Sequence, residues 1–426
     1  MFDFKARHII EALRSGIPSR VVGEYFSEAR PAMMKNISQR LEAVRETGKS
    51  DGMIFTGHYG EGKTHLLNTV FSMASSSNMV VSFLPLGKET PLDKLHLLYP
   101  KIIANTFLPG AVQPGYRMIL ESMTPNSAPA GELMAYAAKE LETDKLYYLL
   151  RALLGTQDED EYNAFMSDLE GDFVTNAAVK KSYKSITGTT VKFNQNFSKT
   201  KHTMDYFRFT SHMFKTLGYD GWVILLDEAE LIGRLGKKSR MKTYSTMQKF
   251  LSPEPGFDGM FTLFSFSASY VEDVIDKRDE VTNIREVFAD DEQECAKALS
   301  TVNSITHALS FCRLQGMRSA KHCFLSVIFT ERLISGTQIF LRKLFIVPLK
   351  EVVFCSEPGY GLQLNSWTSC INMARLGRLR LLNLERRYWK NRILWIWNGS
   401  WERIENRSRS PAGTVSELVR AVSEPG

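Results

Sequence analysis

The sequence predicts an α/β fold: a parallel sheet flanked by helices, with a helical insertion and a C-terminal tail of anomalous character. Three observations carry this. Short apolar runs alternate with stretches of helical spacing, the pattern of β-α units that pair in parallel. A glycine-rich loop joins the first apolar run to the helix after it. A later run, Trp222 to Leu226, is apolar throughout, as a strand covered on both faces must be, and it ends in two carboxylates, Asp227 and Glu228.

Taken in order, residues 4–15 have helical spacing and Gly16-Ile17-Pro18 stops them, and residues 22–47 predict a second helical stretch bent near Pro31. Asp51-Gly52 reads as a turn, Met53 to Thr56 as a short strand, Gly57 to Thr64 as the loop, and 63–76 as a helix. Met79 to Leu86 is β-branched and aromatic, hence a strand. Residues 91–107 predict a helix that opens on Thr90-Pro91 and is kinked at Pro100. Region 108–205 reads as mostly helical, and 206–217 and 240–251 as helices. Met260 to Phe266 predicts a further buried strand beside that of Asp227.

The domain organisation expected from this is an N-terminal helical segment (1–50), the first part of the core (51–107), the insertion (108–205), the second part of the core with the Asp-Glu strand and a sensor strand (206–311), and a basic tail (312–426).

The chain has 426 residues, 43% apolar and 23% charged, a globular composition long enough for two or three units and incompatible with wholesale disorder. Its net charge of +6 is uneven. Residues 1–311 hold 35 Lys+Arg against 39 Asp+Glu, and residues 312–426 hold 18 against 8, so the basic character belongs to the tail. Five cysteines without a CxxC pair support neither a disulfide scaffold nor a zinc site. The start, with Asp3 and no long apolar run, does not read as a secretory signal. No segment reaches the ~18–20 clean apolar residues of a membrane span, so no membrane partner and a cytoplasmic location are expected.

The loop Gly57-His58-Tyr59-Gly60-Glu61-Gly62-Lys63-Thr64 fits G-x-x-x-x-G-K-[ST], the phosphate-binding P-loop. Its glycines let the backbone turn tightly, and its amides form an anion nest at a helix N-terminus, where the dipole favours negative charge. Lys63 can reach the β- and γ-phosphates, and the Thr64 hydroxyl can ligate Mg²⁺. At the end of its strand, Asp227 would accept from Mg²⁺-bound water or Thr64, and Glu228 would polarise the water attacking the γ-phosphate. His58, Tyr59 and His65 flank the loop as packing or base-contact residues. ATP is expected rather than GTP, because no NKxD motif is present. The fold expected is thus a P-loop NTPase, and the adjacent Asp-Glu pair is typical of those ATPases that carry an extra strand between the two motifs. Of Ser265, Ser267 and Ser269, at or after the end of the next strand, Ser269 is the first choice to sense the γ-phosphate and Ser267 the second. Arg278 and Arg285 are candidate arginine fingers toward a neighbouring subunit of a homo-oligomer. Lys180–Lys201 holds six lysines with Tyr183, Phe193 and Phe197 between them, residue types that bind a nucleic-acid backbone and stack bases, or line a solvated loop.

Ser15-Gly-Ile-Pro-Ser19, the loop from Thr56 to Leu67, Glu89-Thr-Pro-Leu92 and the strand Val223 to Leu231 resemble the ATP-binding proteins of BREX phage-exclusion systems, the BrxD-like P-loop family. The resemblance covers about residues 8–310. It implies an AAA+-like or related P-loop fold and a Mg²⁺-dependent ATPase acting with other phage-defence proteins on DNA, and it carries Lys63, Thr64, Asp227 and Glu228 over directly. Two other readings stand beside it. One is a nucleotide-gated switch with slow turnover, like helicase-loader and initiator ATPases that share the Gly-Lys-Thr-His-Leu-Leu string. The other is a plain nucleic-acid-binding protein.

After about residue 311 the resemblance stops. Residues 312–426 contain no Asp against 17 before, Arg:Lys moves from 13:22 to 14:4, and five of six Trp and four of five Cys fall there. Leu381 to Lys390 and Ile393 to Trp397 have the residue types of basic-aromatic nucleic-acid contacts. The joint shift fits out-of-frame translation better than a basic accessory domain.

Overall fold

In the computed structural model the described residues are 31–254 and 257–311, together with the backbone of 353–355 and 380–382. The predicted helix at 4–15, the start of that at 22–47 and the basic-aromatic segments of the tail, apart from Leu381 and Leu382, lie outside them. The chain divides into two compact units, Met1–Arg313 and Leu314–Gly426. In the second, Val353–Cys355 pairs antiparallel with Arg380–Leu382.

The first unit is built on a mixed six-stranded sheet in the order β3-β2-β4-β5-β1-β6. The strands are β1 (Asp51–Gly57), β2 (Met79–Pro85), β3 (Thr106–Phe107), β4 (Gly221–Asp227), β5 (Met260–Ser267) and β6 (Leu309–Ser310). All pair in parallel except β3, which runs antiparallel on β2. β5 lies between β1 and β4, with Phe264 opposite Ile54 on one side and Leu226 on the other. Every residue of β4 is buried, which accounts for its unbroken apolar run.

Helices cover both faces. α1 (Pro31–Thr47) and α2 (Lys63–Ser76) pack Ile37, Leu41, Leu67 and Val70 against Phe55, Val223 and Leu263. The other face carries α3 (Leu95–Ala104), then α9 (Thr203–Thr216), α10 (Lys237–Leu251), α11 (Glu280–Val287) and α12 (Glu292–Thr306). Between α3 and α9 come α4 (Tyr116–Glu121), α5 (Ala128–Lys139), α6 (Lys145–Gly155), α7 (Glu159–Ser167) and α8 (Asn176–Thr187). Their apolar residues, Leu146, Leu149 and Phe165 among them, join the same core as Phe207, Phe214 and Trp222.

Within that core, the ammonium of Lys145 meets Asp168 at 2.5 Å with both side chains 0% exposed. Tyr206 Oη donates to the other Asp168 oxygen at 2.5 Å, and Lys145 Nζ sits 4.6 Å from the centre of the Phe197 ring.

Three local expectations are corrected. Asp51-Gly52 begins β1 rather than forming a turn: Asp51 pairs with Arg40 at 2.8 Å, and Gly52 lets the end of α10 approach. A Cβ at Gly52 would lie 2.2 Å from the Phe250 carbonyl oxygen. The helix predicted over 91–107 stops at Ala104, and Thr106 turns onto the sheet edge, its hydroxyl 2.7 Å from that of Ser82. Phe193 and Phe197, read as possible base-stacking residues, are only 3% and 9% exposed. Phe193 stacks on Tyr148, and Phe197 packs on Phe173 and Tyr206. Among the described residues no helix is long and apolar enough to cross a membrane.

Candidate functional site

The site lies at the C-terminal ends of β1, β4 and β5. β1 delivers the chain at Gly57 into the loop, and α2 begins at Lys63. The residue capping α2 is Gly62, with φ at +90°, a left-handed conformation that is strained for any residue with a Cβ. The loop braces itself: the His58 amide donates to Glu61 Oε2 at 2.8 Å, and the Glu61 amide to the His58 carbonyl at 3.2 Å. His58 and Tyr59 are exposed, Tyr59 almost fully at 99%, while His65 is half-buried. Lys63 Nζ donates to the Gly57 carbonyl at 3.2 Å.

The two sequence motifs meet directly. Thr64 Oγ1 donates to Asp227 Oδ2 at 2.6 Å, across 163 residues of sequence. Asp227 is 4% exposed. Its other oxygen accepts from the Ser265 hydroxyl and from the Glu228 amide, the latter at 2.9 Å. The Glu228 amide also reaches Ser265 Oγ at 3.3 Å. Glu228 itself is exposed and left-handed at φ 56°, uncommon for a residue with a side chain. Among the described residues no hydrogen bond or ion pair fixes its carboxylate.

Ser269 is not brought to Asp227. It is exposed, its hydroxyl 3.2 Å from that of Ser267. The serine that touches the acidic pair is Ser265, which lies in β5 just before the strand end and is fully buried. Arg278 donates to the Gly233 carbonyl at 2.8 Å, and Arg285 is exposed on α11.

A carboxylate that the motif left aside also faces the loop. Glu230 sits on the 3-10 turn Ala229–Arg234, half-buried, its Oε2 accepting from the Ser267 amide at 3.1 Å. Burial pushes its pKa up, and the nearby Lys63 charge pulls it down. The sequence signal was only its place two residues beyond Glu228.

Thr64 and Asp227 present hard oxygen donors at hydrogen-bond distance, which fits Mg²⁺. Among the described residues no group of three or more His, Cys, Asp or Glu side chains gathers to hold a metal by itself. A Mg²⁺ ion typically needs no such cage, drawing most of its ligands from phosphates and water.

A family model described as "BREX system ATP-binding protein BrxC/D" matches residues 3–124 and 144–312, more than half of the chain. No curated protein matches it.

Proposed function

The chain belongs to the BREX system ATP-binding protein BrxC/D family, and from that premise we propose that the loop at Gly57–Thr64 and the acids at Asp227–Glu228 bind Mg²⁺-ATP and hydrolyse it. The single observation that carries this reading is the Thr64–Asp227 hydrogen bond, which joins the start of α2, after the glycine loop, to the end of β4. The order β6-β1-β5-β4-β2, with one strand between the two motifs, supports a P-loop ATPase core of AAA+-like type. Residues 51–107 and 206–311 are that core, 108–205 its insertion and 1–50 its N-terminal helical segment.

Each residue has a role set by chemistry. The loop amides and the α2 N-terminus cradle the phosphates. Lys63 exchanges its carbonyl partner on Gly57 for the β- and γ-phosphate oxygens. Thr64 and Asp227 would hold Mg²⁺, which when bound neutralises charge on the β- and γ-oxygens. Glu228 accepts the proton of the attacking water as it adds to the γ-phosphorus, and ADP leaves with the phosphate transferred to water. Ser265 fixes Asp227 and the Glu228 amide together. Ser269 and an arginine from a neighbouring copy, Arg278 or Arg285, would join only after rearrangement. The work done by the cycle is remodelling of, or movement along, DNA with other phage-defence proteins.

The unanchored carboxylate of Glu228 favours a second reading, a nucleotide-gated switch with slow turnover. The deciding measurement is ATP binding and phosphate release by the wild type, Lys63→Ala and Glu228→Gln. Absence of ATP uptake by folded wild type overturns the site. Binding without turnover in Glu228→Gln supports hydrolysis, and turnover unchanged from a slow wild-type rate supports the switch.

The family match ends at residue 312, where the composition changes. This supports reading residues 312–426 as out-of-frame translation, which resequencing codons 305–320 tests.

A further inference from the structure

The carboxylate of Glu230 takes no part in that hydrolysis, yet its placement is specific. Ser267, whose amide it accepts at 3.1 Å, is the register partner of Gly57 at the last rung of the β1–β5 ladder. The Gly57 carbonyl takes the Lys63 ammonium at 3.2 Å and the Ala268 amide at 3.1 Å. Adjoining backbone groups on one rung therefore hold Lys63 and Glu230 close together without an ion pair between them. Lys63 and Asp227 are the charged neighbours that act on Glu230. A triphosphate gripped by Lys63 must bring its terminal charge to this same rung.

We propose that Glu230 is the γ-phosphate sensor of the site, a fixed negative charge held at the β5 tip that opposes the terminal phosphate when ATP enters. The inference rests on the nucleotide reading of the loop. Loading ATP turns Lys63 from the Gly57 carbonyl to the phosphates and leaves the terminal phosphate and the Glu230 carboxylate, two negative groups, on the same rung. Loading ADP leaves the terminal position free of charge, so Glu230 lowers ATP affinity more than ADP affinity. The displaced carboxylate pulls on two things it is built into: the Ser267 amide at the tip of β5, and the 229–234 turn, whose Gly233 carbonyl holds Arg278 at 2.8 Å. Glu230 is thus a positioning residue that couples phosphate occupancy to the segment carrying Arg278.

The test is Glu230→Gln in the full chain, which keeps an oxygen acceptor for the Ser267 amide and removes only the charge. ATP and ADP dissociation constants are measured by calorimetry with Mg²⁺ present. The expected result is ATP bound at least about fivefold tighter than by wild type, the lower end of ordinary coupling between sites, with ADP changed much less. Glu230→Asp, which keeps the charge, retains the wild-type ratio. Should Glu230→Gln unfold, Glu230→Ser removes the same charge and is read the same way. An ATP:ADP ratio unchanged by loss of the charge overturns the sensor role alone. Wild type that binds neither nucleotide overturns the nucleotide reading and the sensor role with it.

Discussion

Replacing Lys145 by Met severs an ion pair with no access to water. Both side chains are 0% exposed and their charged atoms are 2.5 Å apart. After the change Asp168 keeps the Tyr206 hydroxyl, at 2.5 Å, but no positive charge. A buried carboxylate stripped of its partner costs about 3–5 kcal/mol. At about 2–4 °C per kcal/mol for a large unit, the melting temperature falls by about 6–20 °C, read by calorimetry or circular dichroism. Burial already raises the Asp168 pKa, with Lys145 opposing that rise. Without Lys145 the folded-state pKa climbs further above the unfolded one. The stability tied to the protonated acid is then present at low pH and lost as pH rises through the folded pKa, so the deficit is largest at neutral pH and shrinks toward about pH 4. The double change Lys145→Met with Asp168→Leu recovers most of the loss, because no charge remains to be desolvated. A single variant within about 1 kcal/mol of wild type, or a double variant no better than the single, refutes the reasoning.

Three further outcomes follow from the same geometry. If the site hydrolyses Mg²⁺-ATP as proposed, Ser265→Ala lowers phosphate release by about 10–100-fold, as loss of a group orienting a metal ligand does, and changes ATP affinity less, whereas Ser269→Ala has the smaller effect on turnover. If the protein engages duplex DNA, neutralising the exposed Lys181, Lys184 and Lys192, none of which forms an ion pair among the described residues, reduces the slope of log affinity against log salt by about 0.9 for each phosphate no longer neutralised; an unchanged slope places the DNA surface elsewhere. Burial and the charges of Lys199, Lys94 and Lys242 lower the pKa of His96 below its usual 6.5. The unfolded chain therefore takes up that proton first, stability falls as pH drops through about 6.5, and His96→Gln flattens thermal melts over that interval.

What the sequence makes legible is what is written locally. The strand-loop-helix around Gly57 and the strand ending at Asp227 are visible because β1 and β4 are buried on both faces, and burial leaves a continuous apolar run. β3 and β6 escape notice because two residues show no period. The turn expected at Asp51-Gly52 fails because the approach of α10, which demands the glycine, comes from residues about two hundred positions away. Ser265 and Glu230 are hidden for a related reason: each acquires its place from register, Ser265 from β5 beside β4 and Glu230 from Ser267 beside Gly57. Phe193 and Phe197 sit among lysines in sequence but face Tyr148 and Tyr206 in space, so linear interleaving did not mark a surface.

The insertion of β5 between the other two site strands has a consequence for how damage to this protein will look. Gly57 and Asp227 end the strands on the two flanks of this spacer, and the loop leaving Gly57 must span its width to bring Thr64, on α2, to Asp227. A bulkier or smaller side chain deep in β5, at Leu263 or Phe264, touches no ligand, yet it alters the gap. Substitutions in this hidden ribbon should therefore weaken the Thr64–Asp227 contact much as substitutions at Thr64 or Asp227 themselves do.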